Sequence, residues 1–180
     1  MTTELAKTPL DAWHRANGGK MVPFAGYEMP IQYESIVSEH NACRNSAALF
    51  DVSHMGRLRF DGDGSEQFLD HVLTRKVSDL PLGGVRYGLI CNAAGGILDD
   101  VLVSHVETPS QRPFHLMVVN ASNRDKILKW LTPQLDDFPT VTMSDRTELT
   151  AMIAVQGPSA MEACKRLFAF DPTRLKYYRA

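Results

Sequence analysis

CNAAGGILDDVLV, residues 91–103, combines a turn rich in asparagine and glycine with an apolar strand that contains two adjacent carboxylates. Neighbouring residues of a strand point to opposite faces of its sheet. We therefore expect Asp99 on the same face as Val101, and Asp100 on the same face as Leu102. Because both faces are mostly apolar, the pattern predicts that at least one of the two carboxylates is buried or nearly so.

The two carboxylates have two alternative interpretations. A buried carboxylate is costly unless it is paired or hydrogen-bonded, which makes it a candidate for a functional site. The structural alternative is an edge strand on which one aspartate is solvated and the other accepts hydrogen bonds from turn N–H groups. The spacing alone favours the structural alternative, and it does not rank Asp99 against Asp100.

The surrounding chain predicts several strands and two sheet-covering helices. VRYGLIC (85–91) and ILDDVLV (97–103) are predicted to form a hairpin around the NAAGG turn. The segment SEQFLDHVL predicts a helix with one apolar side, and further strands are predicted in MGRLRF, FHLMVVN, PTVTMSD and TAMIAVQGP. This order of elements favours an α+β fold with antiparallel sheets and helices on one face.

Three further helix starts are indicated by capping signals. One helix is predicted to begin at Thr8 with Pro9 in its first position, and a second to begin after a Ser35 cap. A third is predicted after a capping box formed by Ser122 and Asp125.

Trp13 and Trp130 lie on apolar stripes with helical spacing, so both are predicted to be core residues. His54 is interpreted as structural, because nothing near it in the sequence forms a nucleophile–base–orienter set.

The composition excludes several classes of partner. The 180 residues carry a net charge of −2, which gives no electrostatic basis for binding nucleic acid or an anionic membrane. The three cysteines, Cys43, Cys91 and Cys164, lie far apart and do not predict a metal site or a disulfide framework. There is no apolar run of about 20 residues and no secretory leader, so a cytoplasmic protein is predicted. The ending KYYRA, directly after two aromatics, leads us to expect that the natural product continues.

Six strings in the same order resemble the amino-terminal half of the aminomethyltransferase, or T-protein, family of the glycine cleavage system. The resemblance runs from about Thr8 to the last residue. The strings are TPLDAWHRANGGKMVPFAGYEMPIQY (8–33), ALFDVSHMG (48–56), RYGLICNAAGGILDD (86–100), LMVVNASNRDK (116–126), IAVQGP (153–158) and YY (177–178).

The resemblance implies a folate-binding T-protein-like fold that is incomplete at its carboxyl end. It further implies that residues 51–146 form an inserted α+β domain. Residues 1–50 and 147–180 would then belong to a discontinuous first domain, and the later domains would be absent.

The resemblance also implies a reaction. The family accepts an aminomethyl group from the lipoyl arm of H protein, forms methylenetetrahydrofolate from tetrahydrofolate, and releases ammonia. No metal is implied. The second acid of the DD pair, Asp100, corresponds to the catalytic aspartate. Folate-contacting positions carry over onto Met55, Tyr87, Asp100, Asn120 and Tyr177.

Each of these folate contacts has a structural alternative. Tyr87 can be an ordinary aromatic on a half-buried strand, Asn120 a turn residue, and Met55 core filler. Other folate-binding residues of the family lie in later segments, so residues 1–180 alone are expected to bind folate weakly and to be inactive. Two rival functions are a folate-binding demethylase module and a non-enzymatic folate-binding protein that assists iron–sulfur cluster assembly.

Overall fold

Residues 4–180 are the part of the chain described by the computed structural model, and they contain ten β-strands and five α-helices. The elements are β1 (Ala6–Lys7), α1 (Asp11–Ala16), β2 (Lys20–Phe24), β3 (Tyr27–Gln32), α2 (Ile36–Asn45), β4 (Ala48–Asp51), β5 (Gly56–Asp61), α3 (Ser65–Val72), β6 (Val85–Cys91), β7 (Ile97–Glu107), β8 (Pro113–Val119), α4 (Arg124–Leu131), β9 (Thr142–Asp145), β10 (Ile153–Gln156) and α5 (Ala160–Cys164). The predicted α+β class with antiparallel sheets is confirmed.

The chain divides into two compact units. The first comprises the residues up to His54 together with Glu148–Lys176, and the second comprises Met55–Thr147 together with Tyr177–Ala180. Compactness does not establish that a unit folds independently. The predicted discontinuous domain, residues 1–50 with 147–180, and the predicted inserted domain, residues 51–146, therefore stay predictions. Residues 1–3 lie outside the described range.

The second unit is built on a five-stranded antiparallel sheet in the order β6-β7-β8-β5-β9. One face of this sheet is covered by α3 and α4. The core between them contains the predicted apolar side of α3, and its fully buried members are Leu58, Phe60, Phe68, Leu69, Val77, Ile90, Val101, Val103, Met117, Val119, Ile127 and Leu131. Burial of these side chains on one face, at about 1.5–3 kcal/mol each, fixes the sheet against its helices.

The β6–β7 hairpin is confirmed, and its turn explains the register. Asn92 accepts the backbone N–H groups of Ala94 and Gly96 on its side-chain oxygen at 3.0 and 2.8 Å. Gly95 has a φ of +82°, a conformation that costs glycine little. However, β7 pairs with β8 on its other side, so the prediction that the two aspartates lie on an edge strand is wrong.

The first unit contains two small sheets. Strands β2 and β3 form an antiparallel hairpin that β1 joins in parallel, and β4 pairs with β10. The predicted Ser35 cap of α2 is confirmed, because the Ser35 hydroxyl accepts the N–H of Ser38 at 3.3 Å.

Two predicted helix starts are wrong. Helix α1 begins at Asp11 after Leu10, since the Thr8 hydroxyl donates to Asp51 at 2.7 Å and lies outside the helix. Helix α4 begins after Asn123, and Ser122 lies in the 3-10 turn before it, so Ser122 and Asp125 form no capping box.

The two tryptophans differ in environment. Trp130 packs half-buried against the core of the second unit, as predicted. Trp13 is 56% exposed, which contradicts the prediction, because the six-residue helix α1 buries the neighbouring His14 instead. Within residues 4–180, none of the helices has the length and apolar character needed to cross a membrane.

His115 is a buried histidine in the second unit. Its ring stacks on that of His105, the residue directly opposite on β7, with centroids 4.5 Å apart, and its Nδ1 lies 3.1 Å from the Ser65 hydroxyl. Burial and the nearby His105 together lower the pKa of His115 to about 4, against the opposing effects of Glu66 and Asp70.

We expect stability to fall as the pH drops from 6.5 toward 4, because the unfolded chain protonates His115 in this interval and the folded chain does not. The accumulated loss from this residue is about 3 kcal/mol. Urea unfolding across the interval measures it. His115→Gln should flatten the pH dependence, whereas the same change at the exposed His40 should not. An unchanged slope in His115→Gln would contradict the assignment.

Candidate active site

The ends of three strands meet at one end of the sheet in the second unit. Leu102 of β7 lies opposite Val118 of β8, which places Asp100 across from Asn120, the residue that follows β8. Gly56 at the start of β5 lies opposite Val119, so Met55 is at the same end. This end of the sheet brings together side chains that are far apart in the sequence.

Asp99 is the buried member of the aspartate pair, with 2% of its surface exposed. Its Oδ2 accepts the backbone N–H of Asn120 at 2.9 Å. Its Oδ1 accepts the side-chain amides of Asn120 at 2.9 Å and of Asn123 at 2.6 Å. These three donors offset the cost of burying a carboxylate, so the structural interpretation applies to Asp99.

Asp100 is exposed on the opposite face of β7. Its Oδ1 accepts the side-chain amide of Asn120 at 3.0 Å, and its main-chain oxygen accepts the same amide at 3.2 Å. The Tyr87 phenol lies near the Asp100 side chain, and desolvation together with the charge of Asp100 raises the pKa of Tyr87. The accessible carboxylate is therefore held in place and still faces solvent.

Tyr87 lies on β6, diagonally across the hairpin from Asp100 and on the same face. Its side chain is 42% exposed. Partial desolvation raises the pKa of Tyr87, and the negative charge of the nearby Asp100 raises it further. The phenol therefore stays protonated at neutral pH.

Tyr177 is 88% exposed, and its ring centroid lies 4.3 Å from that of Tyr178. The main-chain oxygen of Tyr178 accepts the N–H of Val85 at 3.0 Å, which places both tyrosines beside the start of β6. The adjacent Tyr177 raises the pKa of Tyr178, as do desolvation and the nearby Tyr87. Tyr178 is thus the member of the terminal pair whose titration is affected by Tyr87.

The structure joins two of the five predicted site residues, Asp100 and Asn120, by a direct hydrogen bond and places Tyr87 near Asp100 on the same face of the sheet. Met55 is half-buried at the same end of the sheet, and its main-chain oxygen accepts the Arg57 guanidinium at 2.6 Å. Sequence reasoning missed Asn123 and Tyr178. The repeated asparagine in NASN, residues 120–123, was the available signal for Asn123.

A second polar cluster lies in the first unit, beside a largely apolar cavity of about 990 Å³. The two ring nitrogens of His14 lie 2.6 Å from the Tyr33 hydroxyl and 2.8 Å from Asp51, and Asp51 also accepts from Thr8. Burial raises the pKa of Asp51, but hydrogen bonds from His14, Ser53 and Thr8 lower it to below its ordinary value. The hydrogen bonds of this cluster are internal, so we interpret it as structural.

His54 also lies in the first unit, with its ring 5.5 Å from that of Phe24 and 6.3 Å from that of Tyr27. This aromatic packing supports its structural interpretation. Among residues 4–180, no group of three or more histidine, cysteine or acidic side chains is arranged to hold a metal ion.

Residues 10–180 match the family model of the GCVT N-terminal domain. The chain belongs to this family. The amino-terminal resemblance predicted from the six sequence strings is therefore confirmed.

The GCVT relatives agree with this membership. An aminomethyltransferase of Desulfitobacterium hafniense is 40% identical over 176 residues, and one of Desulforamulus reducens is 42% identical over 175 residues. These alignments cover 98% and 97% of this chain but 47% and 46% of the relatives. The chain thus spans about half the length of the curated relatives it matches.

A solved structure supports the fold. The crystal structure of glycine cleavage system aminomethyltransferase T from Bartonella henselae superposes with a TM-score of 0.87 at 28% identity. The match covers 98% of this chain and 47% of that one. The predicted T-protein-like fold is confirmed.

The two aspartates should differ in their effect on stability. Asp99→Ala leaves the backbone N–H of Asn120 and the side-chain amide of Asn123 without this acceptor, and we expect it to lower the free energy of unfolding by about 3 kcal/mol. Asp100→Ala removes an exposed side chain and should change it by less than about 0.5 kcal/mol. Urea unfolding of both variants measures the difference. Equal destabilisation would contradict the structural assignment of Asp99.

Proposed function

We propose that this chain contributes the tetrahydrofolate-facing acid of an aminomethyltransferase of the glycine cleavage system. Membership of the GCVT family and the aminomethyltransferase names of the relatives support the reaction class. The observation that carries the proposal is the exposed Asp100 carboxylate, held by Asn120 and close to Tyr87, beside an aspartate that is buried and satisfied. Of the two acids, Asp100 alone is accessible to a ligand.

The proposed reaction moves one carbon. The substrate is the aminomethyl group bound through its carbon to a sulfur of the lipoyl arm of H protein. The carbon–nitrogen bond to the amino group breaks, and ammonia leaves with that nitrogen. The carbon–sulfur bond also breaks and returns the arm as a dithiol. The two nitrogens of tetrahydrofolate bond to the carbon and release their protons.

Asp100 is assigned an electrostatic and orienting role. Positive charge develops at the transferred carbon as ammonia departs, and tetrahydrofolate must present a neutral amine to it. A fixed carboxylate stabilises that charge without reorganising during the reaction. The same carboxylate can accept a hydrogen bond from a folate nitrogen and take up a proton. Because these roles need only a neutral folate amine and the Asp100 carboxylate anion, we assign no metal to the reaction.

The neighbours of Asp100 complete the proposed folate contact. Tyr87 offers an exposed aromatic surface on the same face, and Asn120 offers an amide whose oxygen remains available for a ligand N–H group. Met55 provides apolar contact at the same end of the sheet, and Tyr177 provides a second aromatic beside β6. We propose lipoylated H protein as the partner and the cytoplasm as the location.

Ammonia release tests the assignment. The complete gene product that carries these residues is incubated with aminomethylated, lipoylated H protein, with and without tetrahydrofolate. Strong folate-stimulated release is the expected result. Folate binding without release would instead favour the demethylase or the non-enzymatic iron–sulfur function.

Asp100→Asn should lower the folate-stimulated rate roughly 100-fold, because it removes the charge that stabilises the transition state and keeps the shape of the side chain. The matched control is Asp63→Asn, which makes the same change at an exposed turn residue of the same unit. Rates of ammonia release by both variants provide the measurement. Near-normal turnover in Asp100→Asn would refute the electrostatic role.

Residues 1–180 on their own should bind tetrahydrofolate weakly and turn over negligibly. The reason is that they span about half the length of the relatives, so only part of a folate site of that size is present. Calorimetric titration with tetrahydrofolate and the ammonia assay test this expectation. Turnover by residues 1–180 equal to that of the complete gene product would contradict it.

A further inference from the structure

We propose that Asp99, supported by Asn123, is a positioning residue that fixes the Asn120 amide in the orientation that holds the Asp100 carboxylate. The relevance of this inference to catalysis rests on the proposed function, whereas the geometry behind it does not. It assigns separate roles to two adjacent acids that their spacing alone could not rank. Asp99 is buried and acts through Asn120, and Asp100 faces the ligand.

The orientation of the Asn120 amide follows from its acceptors. Its Nδ2 lies near three oxygens: Asp99 Oδ1 at 2.9 Å, Asp100 Oδ1 at 3.0 Å and the Asp100 main-chain oxygen at 3.2 Å. The reversed amide would place its own oxygen against these three acceptors. The nitrogen therefore has to face the aspartates, and the Asp100 carboxylate receives a donor.

Asp99 itself cannot rotate to release this contact. One of its oxygens is engaged by the backbone N–H of Asn120, which the chain holds in place. The other accepts Asn123 at 2.6 Å in addition to the Asn120 amide. The result is a continuous series of hydrogen bonds from Asn123 through Asp99 and Asn120 to Asp100.

An asparagine at position 99 would preserve the shape and break this series. It has one acceptor oxygen where the carboxylate has two. Because the backbone N–H of Asn120 cannot reverse, that oxygen stays with it, and the new NH₂ group faces the amides of Asn120 and Asn123. Those amides then have to turn their oxygens inward or lose the contact. If the Asn120 amide turns, Asp100 loses its donor, and if it only loses the contact, nothing holds its nitrogen toward Asp100 from the side of residue 99.

The titration of Tyr87 depends on the position of the nearby Asp100 carboxylate. The charged and titratable groups around this phenol are Asp100 on β7, Tyr178 with Tyr177 in the terminal segment, and Arg75, which acts on Tyr178. Asp99 lies on the opposite face of β7, so it influences Tyr87 through the placement of Asp100. A purely structural role of Asp99 would leave the Tyr87 titration unchanged in every variant that keeps the Asp99 charge.

The experiment follows the titration of Tyr87 by NMR in the 180-residue chain, labelled with ¹³Cζ-tyrosine. The Tyr87 signal is identified by its loss in Tyr87→Phe. We expect the midpoint to fall toward 10.0, the value of an unperturbed tyrosine, in Asp99→Asn and in Asn120→Ala. Asp100→Asn is the positive control for this shift. Ser122→Ala, an exposed change in the same turn, should leave the midpoint where it is.

The two test variants separate orientation from charge. Asp99→Asn removes a charge and Asn120→Ala does not, so a shift in both supports the positioning role. A shift confined to Asp99→Asn reports only the lost charge and overturns the proposal, as does an unchanged midpoint in both. If Asp99→Asn does not fold, Asn123→Ala takes its place, because it loosens Asp99 without removing a charge.

Turnover by the complete gene product distinguishes this proposal from the proposed function. The titration needs no folate, so the Tyr87 shifts without folate-stimulated ammonia release would contradict the proposed function alone. If Asp100→Asn lowers kcat and Asp99→Asn leaves kcat and KM unchanged, the positioning role is overturned and the function stands. A fall in kcat larger than any change in KM in Asp99→Asn supports both.

Discussion

The fold of the second unit depends on one buried carboxylate. Asp99 lies in the apolar face of a central strand, where an ionised group is stable only if hydrogen bonds replace its hydration. The donors come from the turn after β8, so that turn has to close tightly over the end of β7. The same constraint determines the surface, because the residue after Asp99 in a strand must point to the opposite face. The burial of Asp99 on one face of β7 therefore places Asp100 on the exposed face.

Local patterns predicted the elements whose causes are local. The NAAGG turn predicted the β6–β7 hairpin, since Asn92 satisfies the turn and a glycine supplies the left-handed residue. The apolar spacing of α3 predicted the side that faces the sheet. The edge-strand prediction for β7 was wrong for a non-local reason. Its second neighbour, β8, lies beyond a loop, and no residue pattern within β7 specifies that pairing.

The candidate site likewise has features with local causes, which the sequence predicted, and features with non-local causes, which it did not. Once the hairpin register is known, Tyr87 and Asp100 follow as diagonal neighbours on one face. The ranking of Asp99 against Asp100 needed Asn120 and Asn123, which reach the pair through the β7–β8 ladder. The capping-box prediction failed in this same turn. The α4 N-cap residue, Asn123, directs its amide to Asp99 and makes no side-chain cap hydrogen bond to its own helix.

The two aspartates also differ in how many further hydrogen bonds they can accept. An ionised carboxylate offers about four lone-pair positions, and Asp99 has three of them occupied by donors in a site closed to solvent. Asp100 accepts one side-chain donor from Asn120, which orients it and leaves acceptor positions open. A group that stabilises a developing cation needs both fixed orientation and free acceptor capacity. Of the two acids, only Asp100 combines them, and it does so because its neighbour is fully engaged.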